Sequence, residues 1–317
     1  MNSHLIEVHG QERAGPFDCS IAVPVYNGAR FLHDALASVF DQKDVSCDVI
    51  ISDDCSSDDS PDIILKVVKA YTGPHSIRVY RTASPAVVEH MTLLVDASRT
   101  DRVIQAHQDD ISYPGRARIL VDALQGKTKL VTSVARVGSQ TGATEPTEAE
   151  LASLRSKDTF RDFLRSGQGV MGGARYGMHR DIYDRFPKLS HDHLTHGHDI
   201  LLHIRAKMLG ACKVIYRPLL TIGDHPDRGS YKMFDNQDEA TWQFDFALRR
   251  IVILTVALRD LAHLRAMDGI ASDRADHLRE YIEEARQFFV EQLSDKRELA
   301  LKRGYRLAWA TGDTRVD

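Results

Sequence analysis

Hydrophobic and polar positions along the chain change period in a repeating order. Ser20-Ile-Ala-Val-Pro-Val25 is a short β-rich run that ends in the turn signal Tyr26-Asn27-Gly28. Phe31, Leu32, Ala35, Leu36, Val39 and Phe40 then recur at i, i+1, i+4, i+5, the spacing of a helix with one buried face. A second strand is predicted over 47–51, ending in Ser52-Asp53-Asp54. Ser60-Pro61 supplies an N-cap and a first-turn proline to a helix that buries Ile63, Ile64, Val67 and Val68. The order continues with a strand over 77–80, a helix over 87–98, and a strand over 102–106 that ends in His107-Gln108-Asp109-Asp110. Pro114 opens the next helix, and 130–137 reads as a fifth strand.

Strands alternating with helices of this length imply βαβ units, a mainly parallel sheet and right-handed crossovers: an α/β fold with a central sheet flanked by helices. Ligands of such sheets sit beyond the carboxyl ends of the strands. Tyr26-Asn27, Asp53-Asp54 and Asp109-Asp110 all fall at those ends. With the first four strands in the order 3-2-1-4, strands two and four flank strand one and both acid pairs face one crevice. Around this core, 1–18 reads as a loose leader and 138–158 as a polar surface loop. A later segment over 159–233 mixes short strands and helices, and 234–317 forms a C-terminal helical region with a break at Asp268-Gly269.

The 317 residues, 43% hydrophobic and 27% charged, describe an ordinary globular chain, and a formal net charge of -4 offers no general field for nucleic acid. The longest apolar run, 251–258, is too short to span a bilayer, and no signal-peptide order is visible near the start. Four cysteines show no ligand spacing. A reduced, cytoplasmic location is the expectation.

Chemistry at these strand ends suits a nucleotide sugar. A carboxylate can accept from a base N–H or a ribose hydroxyl, and another can hold Mg²⁺ or Mn²⁺ against a diphosphate. The alternative is that Asp53, Asp54, Asp58 and Asp59 only fill turns and N-caps, where Asp is favoured. Here Ile21-Ala-Val-Pro-Val-Tyr-Asn27, Val49-Ile-Ile-Ser-Asp-Asp-Cys-Ser-Ser-Asp58 and Gln108-Asp-Asp-Ile-Ser-Tyr-Pro114 resemble, in order and spacing, the hallmarks of family 2 glycosyltransferases. The resemblance runs over about 19–225 and implies the Rossmann-like GT-A fold. It implies an inverting transfer from a nucleotide-diphosphate sugar, a UDP-sugar being favoured, to a hydroxyl of a glycan or small-molecule acceptor. The donor half would be about 19–137 and the acceptor half about 159–233. It places Pro24, Tyr26, Asn27, Asp53 and Asp54 around base and ribose, with Asp109 as metal ligand and Asp110 supporting the site or the sugar. His107 stands where the family often has an acid, and a histidine there can donate to a ribose or phosphate oxygen or ligate a metal. His198-Asp199 resembles the family's Glu-Asp element, which makes Asp199 the base. His225, in Gly223-Asp-His-Pro-Asp-Arg228, resembles a late histidine that reaches back to the metal or the diphosphate, and Arg228 would pair with phosphate or remain solvated.

Four histidines in 191–198 suggest either an acceptor-side loop or a transition-metal site, without a familiar zinc spacing. In the C-terminal helices, Leu278, Tyr281, Ile282, Ala285, Phe288 and Phe289 form an apolar stripe that packs on the catalytic domain or seams a homodimer. The basic end, with Lys296, Arg297, Lys302, Arg303 and Arg306, is a solvated face or one that touches anionic lipid at the inner membrane face. Two other functions fit parts of the pattern. A nucleotidyltransferase shares the sheet, but Asn27-Gly-Ala-Arg30 is too poor in glycine for its phosphate loop. An inactive GT-A domain serving as a scaffold would account for His107.

Overall fold

The structure, a computed structural model, describes residues 5–84, 87–138, 147–156, 160–166, 172–189, 197–225 and 239–294. The strands are β1 (Leu5–Gln11), β2 (Cys19–Val25), β3 (Cys47–Asp53), β4 (Ser76–Thr82), β5 (Arg102–Gln105), β6 (Ile111–Ser112), β7 (Thr128–Ser133), β8 (Arg136–Val137), β9 (Tyr176–His179), β10 (Ala211–Ile215) and β11 (Leu220–Ile222). The helices are α1 (Ala29–Phe40), α2 (Ser60–Ala70), α3 (Val87–Asp96), α4 (Arg116–Ala123), α5 (Glu148–Ser156), α6 (Phe160–Ser166), α7 (Asp181–Asp184), α8 (His198–Leu209), α9 (Glu239–Ala266) and α10 (Ser272–Ser294).

Eight strands form one sheet in the order β1-β4-β3-β2-β5-β9-β7-β10, in which only β1 and β9 run against the rest. The stretch β4-β3-β2-β5 is the 3-2-1-4 order expected for the first four strands. It puts the ends of β3 and β5 on either side of the end of β2, at the switch point where α/β sheets open a crevice. The strands are apolar on both faces. Ile21, Val23, Val49 and Ile51 join the layer packed on α1, α2 and α4, while Ala22 and Ile50 join the opposite layer with Leu94, Leu202 and Ala206.

Two expectations are corrected. The supposed leader contains β1, which pairs antiparallel with β4 from Leu5↔Thr82 to Gln11↔Ile77. The strand covers the otherwise open backbone edge of β4, and a pairing 66 to 77 positions apart in sequence leaves no local signature. The fifth strand over 130–137 divides. β7 stays in the large sheet, Val134 N donates to Ile215 O at 3.1 Å, and β8 crosses to a small sheet of order β6-β11-β8.

The C-terminal stripe packs inward. Ile282, Ala285 and Phe289 share one core with Phe244, Ile251 and Leu254 of α9, Leu201, Ile204 and Met208 of α8, and Leu164 of α6. A buried ion pair reinforces the junction: Arg205 on α8 donates to Asp260 on α9 through Nε at 2.7 Å and Nη2 at 3.2 Å. The helix that begins at His198 is therefore braced by α9. No helix among the described residues is long and apolar enough to cross a membrane.

Candidate active site

Three turns converge beyond the carboxyl ends of β2, β3 and β5. In the first, half-buried Pro24 lies opposite Ser52, Tyr26 is 58% exposed, and Asn27 takes a left-handed φ of 48°. Asn27 Oδ1 accepts from Ser57 N at 2.8 Å, and Asn27 N donates to Ser56 Oγ at 2.9 Å, which locks the first turn to the second. The backbone N–H groups of Gly28 and Ala29 donate to Ser60 Oγ at 2.9 Å and Asp58 Oδ2 at 3.0 Å. Asp58 thus does the capping work allowed for it. Partial burial opposes its charge, yet hydrogen bonds from Ser60 and Ala29 outweigh that and hold its pKa below the usual carboxylate range.

Asp53 and Asp54 are both buried but differently committed. Asp54 Oδ1 accepts from Thr82 Oγ1 at 2.7 Å. Asp53 Oδ2 accepts from Ser56 N at 3.2 Å and lies 3.3 Å from Arg81 Nε, whereas its buried Oδ1 meets no hydrogen-bond partner.

The third turn carries the acids after β5. Gln108 grips the backbone of Tyr26 twice, accepting from its N at 2.7 Å and donating to its O at 2.9 Å. Asp109 Oδ2 lies 3.1 Å from His225 Nε2, and the imidazole stacks on Phe31 with ring centres 4.0 Å apart. Close approach makes this possible at Gly223, where a Cβ would fall 2.5 Å from Asp109 O. Gly223 N donates to Asp110 Oδ1 at 3.1 Å, and His107 Nδ1 stands 3.7 Å from Asp110 Oδ2. Buried Arg116 donates to Ser112 Oγ at 3.1 Å and Gln105 O at 2.7 Å, and burial lowers its pKa to about 10 against the opposing charge of Asp110. A cavity of about 280 Å³ opens on Asp109 and His225, lined also by Arg30, Phe31 and Asp224.

Potential ligand atoms of His107, Asp109 and Asp110 lie within 4.8 Å of one another. Carboxylate oxygens suit Mg²⁺ and Mn²⁺, and one imidazole is compatible with the latter. Asp109 Oδ1 has no hydrogen-bond partner among the described residues, and neither does buried His225 Nδ1. The donor set fits a divalent cation.

Asp199 approaches from the other side of the sheet. Gly197, at φ 79°, precedes α8, and a Cβ there would lie 2.6 Å from Ile253 Cδ1, so α9 sets where α8 begins. Asp199 Oδ1 accepts from Ile200 N at 2.9 Å, the first-turn placement expected of a helix acid. Its charge is also felt by neighbouring side chains. Burial raises the Tyr176 pKa well above its ordinary value, with Tyr183 and Asp199 adding to it. Burial lowers Arg250 to about 10, opposed by Asp199. His198, its Nε2 buried without a partner, is pushed down by burial, opposed by Asp199 and reinforced by His107, which ties the start of α8 to the acid turn.

Each candidate among the described residues therefore lies at this end of the sheet. Three histidines of 191–198 (His191, His193 and His196) lie outside the described residues, as do Arg228 and the basic end from Lys296 to Arg306. Sequence reasoning passed over Gln105, Arg116, Tyr176 and Arg250, and gave Gln108 a place in a motif but no role. For Gln105 and Arg116 a signal existed, a polar residue at a position whose neighbours are buried. Tyr176 and Arg250 reach the site only through tertiary packing.

The model of the glycosyl transferase family 2 matches residues 20–186. No curated protein matches the chain. Among solved structures, the mannosyltransferase PcManGT from Pyrobaculum calidifontis in complex with GDP-Man and Mn²⁺ is similar at 14% identity and TM-score 0.53, covering 95% of this chain and 85% of that one. TarS 1-349 of S. aureus in complex with UDP is similar at 12% identity and TM-score 0.52, covering 91% and 93%. These likenesses show the fold, the GT-A arrangement of sheet and helices.

Proposed function

The chain belongs to glycosyl transferase family 2, and on that premise we propose that it moves a sugar from a nucleotide-diphosphate donor to an acceptor hydroxyl with inversion at the anomeric carbon. The observation that carries this reading is the contact of Asp109 with His225. A late loop closes on the acid turn beside the crevice and leaves carboxylate and imidazole donors facing it. Solved structures of like fold, holding UDP in one case and GDP-Man with Mn²⁺ in another, support the donor class. A UDP-sugar is the favoured donor, with a glycan or small molecule as acceptor.

In this reading Pro24, Tyr26, Asn27, Asp53 and Asp54 form the slot for base and ribose. The open Oδ1 of Asp53 accepts from the nucleoside. Asp109 and His225 would hold Mn²⁺ or Mg²⁺, whose chemistry there is to neutralise the diphosphate as it leaves. Asp110, fixed by Gly223 and facing His107, shapes the sugar side. Asp199 takes the proton from the acceptor hydroxyl as that oxygen attacks the anomeric carbon opposite the departing diphosphate. Such a displacement inverts the centre.

Cytoplasmic residence, a two-part chain with catalytic residues in 19–233 and helices beyond, and a homodimer through the face of those helices that leaves Trp242 and Phe288 exposed complete the proposal. The direct test is a panel of nucleotide sugars screened for thermal stabilisation with and without Mn²⁺, because a ligand bound only to the native state raises its stability. Stabilisation by one donor class that requires Mn²⁺ supports the reading, and no stabilisation by any member overturns it.

A further inference from the structure

His107 offers two ring nitrogens, and what lies behind it decides how they are used. Tyr176, buried on β9 beside β5, donates its hydroxyl hydrogen to Gln105 Oε1. With that oxygen engaged, the Gln105 amide turns its NH2 to His107 Nε2 at 2.8 Å. An amide nitrogen gives hydrogens and offers no lone pair, so Nε2 is the acceptor. The ring proton then sits on Nδ1, the nitrogen 3.7 Å from Asp110 Oδ2. Reversing the amide would leave the buried Tyr176 hydroxyl hydrogen with no other acceptor among the described residues, a costly arrangement in a closed interior.

We propose that Tyr176 and Gln105 are positioning residues that hold His107 as its Nδ1–H tautomer, making it a hydrogen-bond donor beside Asp110 and withholding its lone pairs from the cation. The inference deepens the proposed function and rests on its metal site for one consequence only. Although His107 lies within ligand reach of Asp109 and Asp110, Asp109 and His225 bind the cation and His107 does not. Asp110 is likewise engaged by donors, with Gly223 N on Oδ1 and the His107 N–H facing Oδ2. One imidazole instead of two keeps the site dominated by oxygen, which favours Mn²⁺ and Mg²⁺ over Zn²⁺ and Ni²⁺.

The test begins with metal-free full-length protein labelled with ¹⁵N in histidine. Long-range ¹H–¹⁵N spectra near neutral pH, with His107 assigned by its loss in His107→Gln, should show a protonated Nδ1 and a bare Nε2. A His107 ring protonated at Nε2 overturns the proposal. Tyr176→Phe removes the hydroxyl that orients the amide and should bring up an Nε2–H population together with at least a tenfold gain in Ni²⁺ affinity. A tautomer unchanged by that substitution removes Tyr176 from the role. Calorimetry with Mn²⁺ should give His107→Gln an affinity within about twofold of wild type, against a loss of tenfold or more in Asp109→Asn. A tenfold loss in His107→Gln would make it a ligand and overturn the proposal. If Mn²⁺ binds none of these proteins, the metal reading of the site fails, while the tautomer spectra still decide this one.

Discussion

The two ends of the central sheet carry aspartates in opposite circumstances. At the amino ends of the strands, Asp48 is buried and fully engaged. Arg78 donates to it through Nε at 3.0 Å and Nη2 at 2.6 Å, and Ser20 Oγ and Arg99 N add bonds at 3.1 and 3.2 Å. A cleft of about 660 Å³ opens at that end too, and two of the charges on its wall are paired, Asp18 with Arg118 and Arg99 with Glu12. At the carboxyl ends, Asp53 keeps a buried oxygen without a partner and Asp109 an oxygen with none, beside His225 with an orphaned buried nitrogen. A buried charge is tolerated when its hydrogen-bonding capacity is filled. The first end fills it from within the fold, and the second leaves it open.

The contrast breaks most visibly at Asp199. Asp199→Asn keeps the side-chain shape and removes its basicity, so transfer should fall by about 10²–10⁴-fold with donor affinity nearly intact. Near wild-type transfer in that variant, with loss in His198→Gln, would make the histidine the base. Next comes the closed end. Asp48→Ala strands the Arg78 guanidinium and should cost about 3–5 kcal/mol in denaturant unfolding, while the folded fraction keeps its nucleotide affinity. A variant as stable as wild type, or one that loses nucleotide binding while folded, would erase the distinction between the two ends.

His203 sharpens the fold side through pH. Burial holds its pKa to about 3 in the core under α8, far below the about 6.5 of an unfolded histidine. Between those values the unfolded chain binds the extra proton, so stability falls as the pH is lowered through that window, by at most about 1.4 kcal/mol per pH unit for one group. His203→Phe, beside Phe163, should flatten that acid limb without changing nucleotide affinity. An acid limb as steep as before would assign the loss to other groups. The smallest effect separates the paired acids. Asp53→Asn should weaken nucleoside diphosphate binding roughly tenfold, the scale of one lost charged hydrogen bond. Asp54→Asn, whose oxygen is already committed to Thr82, should weaken it less. Equal and negligible changes would move the base slot elsewhere.

The parts legible in the sequence are those set by local period and turn chemistry. β2, β3 and β5 announced themselves as apolar runs closed by Asn-Gly or Asp pairs, β4 as an apolar run alone, and the acids at the strand ends followed from the parallel arrangement. His225 was legible only through resemblance, because the bond to Asp109 spans 116 positions. β1 was missed since a long-range edge pairing writes no pattern of its own. Tyr176 was missed because a phenol inside a strand looks like ordinary core until the sheet order sets β9 beside β5, and without that neighbour the polar Gln105 had no partner to point to. The start of α8 depends in turn on the fit of Gly197 against Ile253, which no local reading of either segment contains.

The claim at the centre is that the carboxyl end of the sheet is a cation-assisted diphosphate site organised by Asp109. Calorimetric titration of UDP and GDP into the full-length wild-type chain and into Asp109→Asn, each with Mn²⁺ and with chelator, tests it directly. Wild type should bind one of the two nucleotides at least tenfold more tightly with Mn²⁺, and this gain should disappear in Asp109→Asn while the fold persists. Equal affinity with Mn²⁺ and with chelator in wild type, or a full Mn²⁺ gain retained in Asp109→Asn, would contradict it.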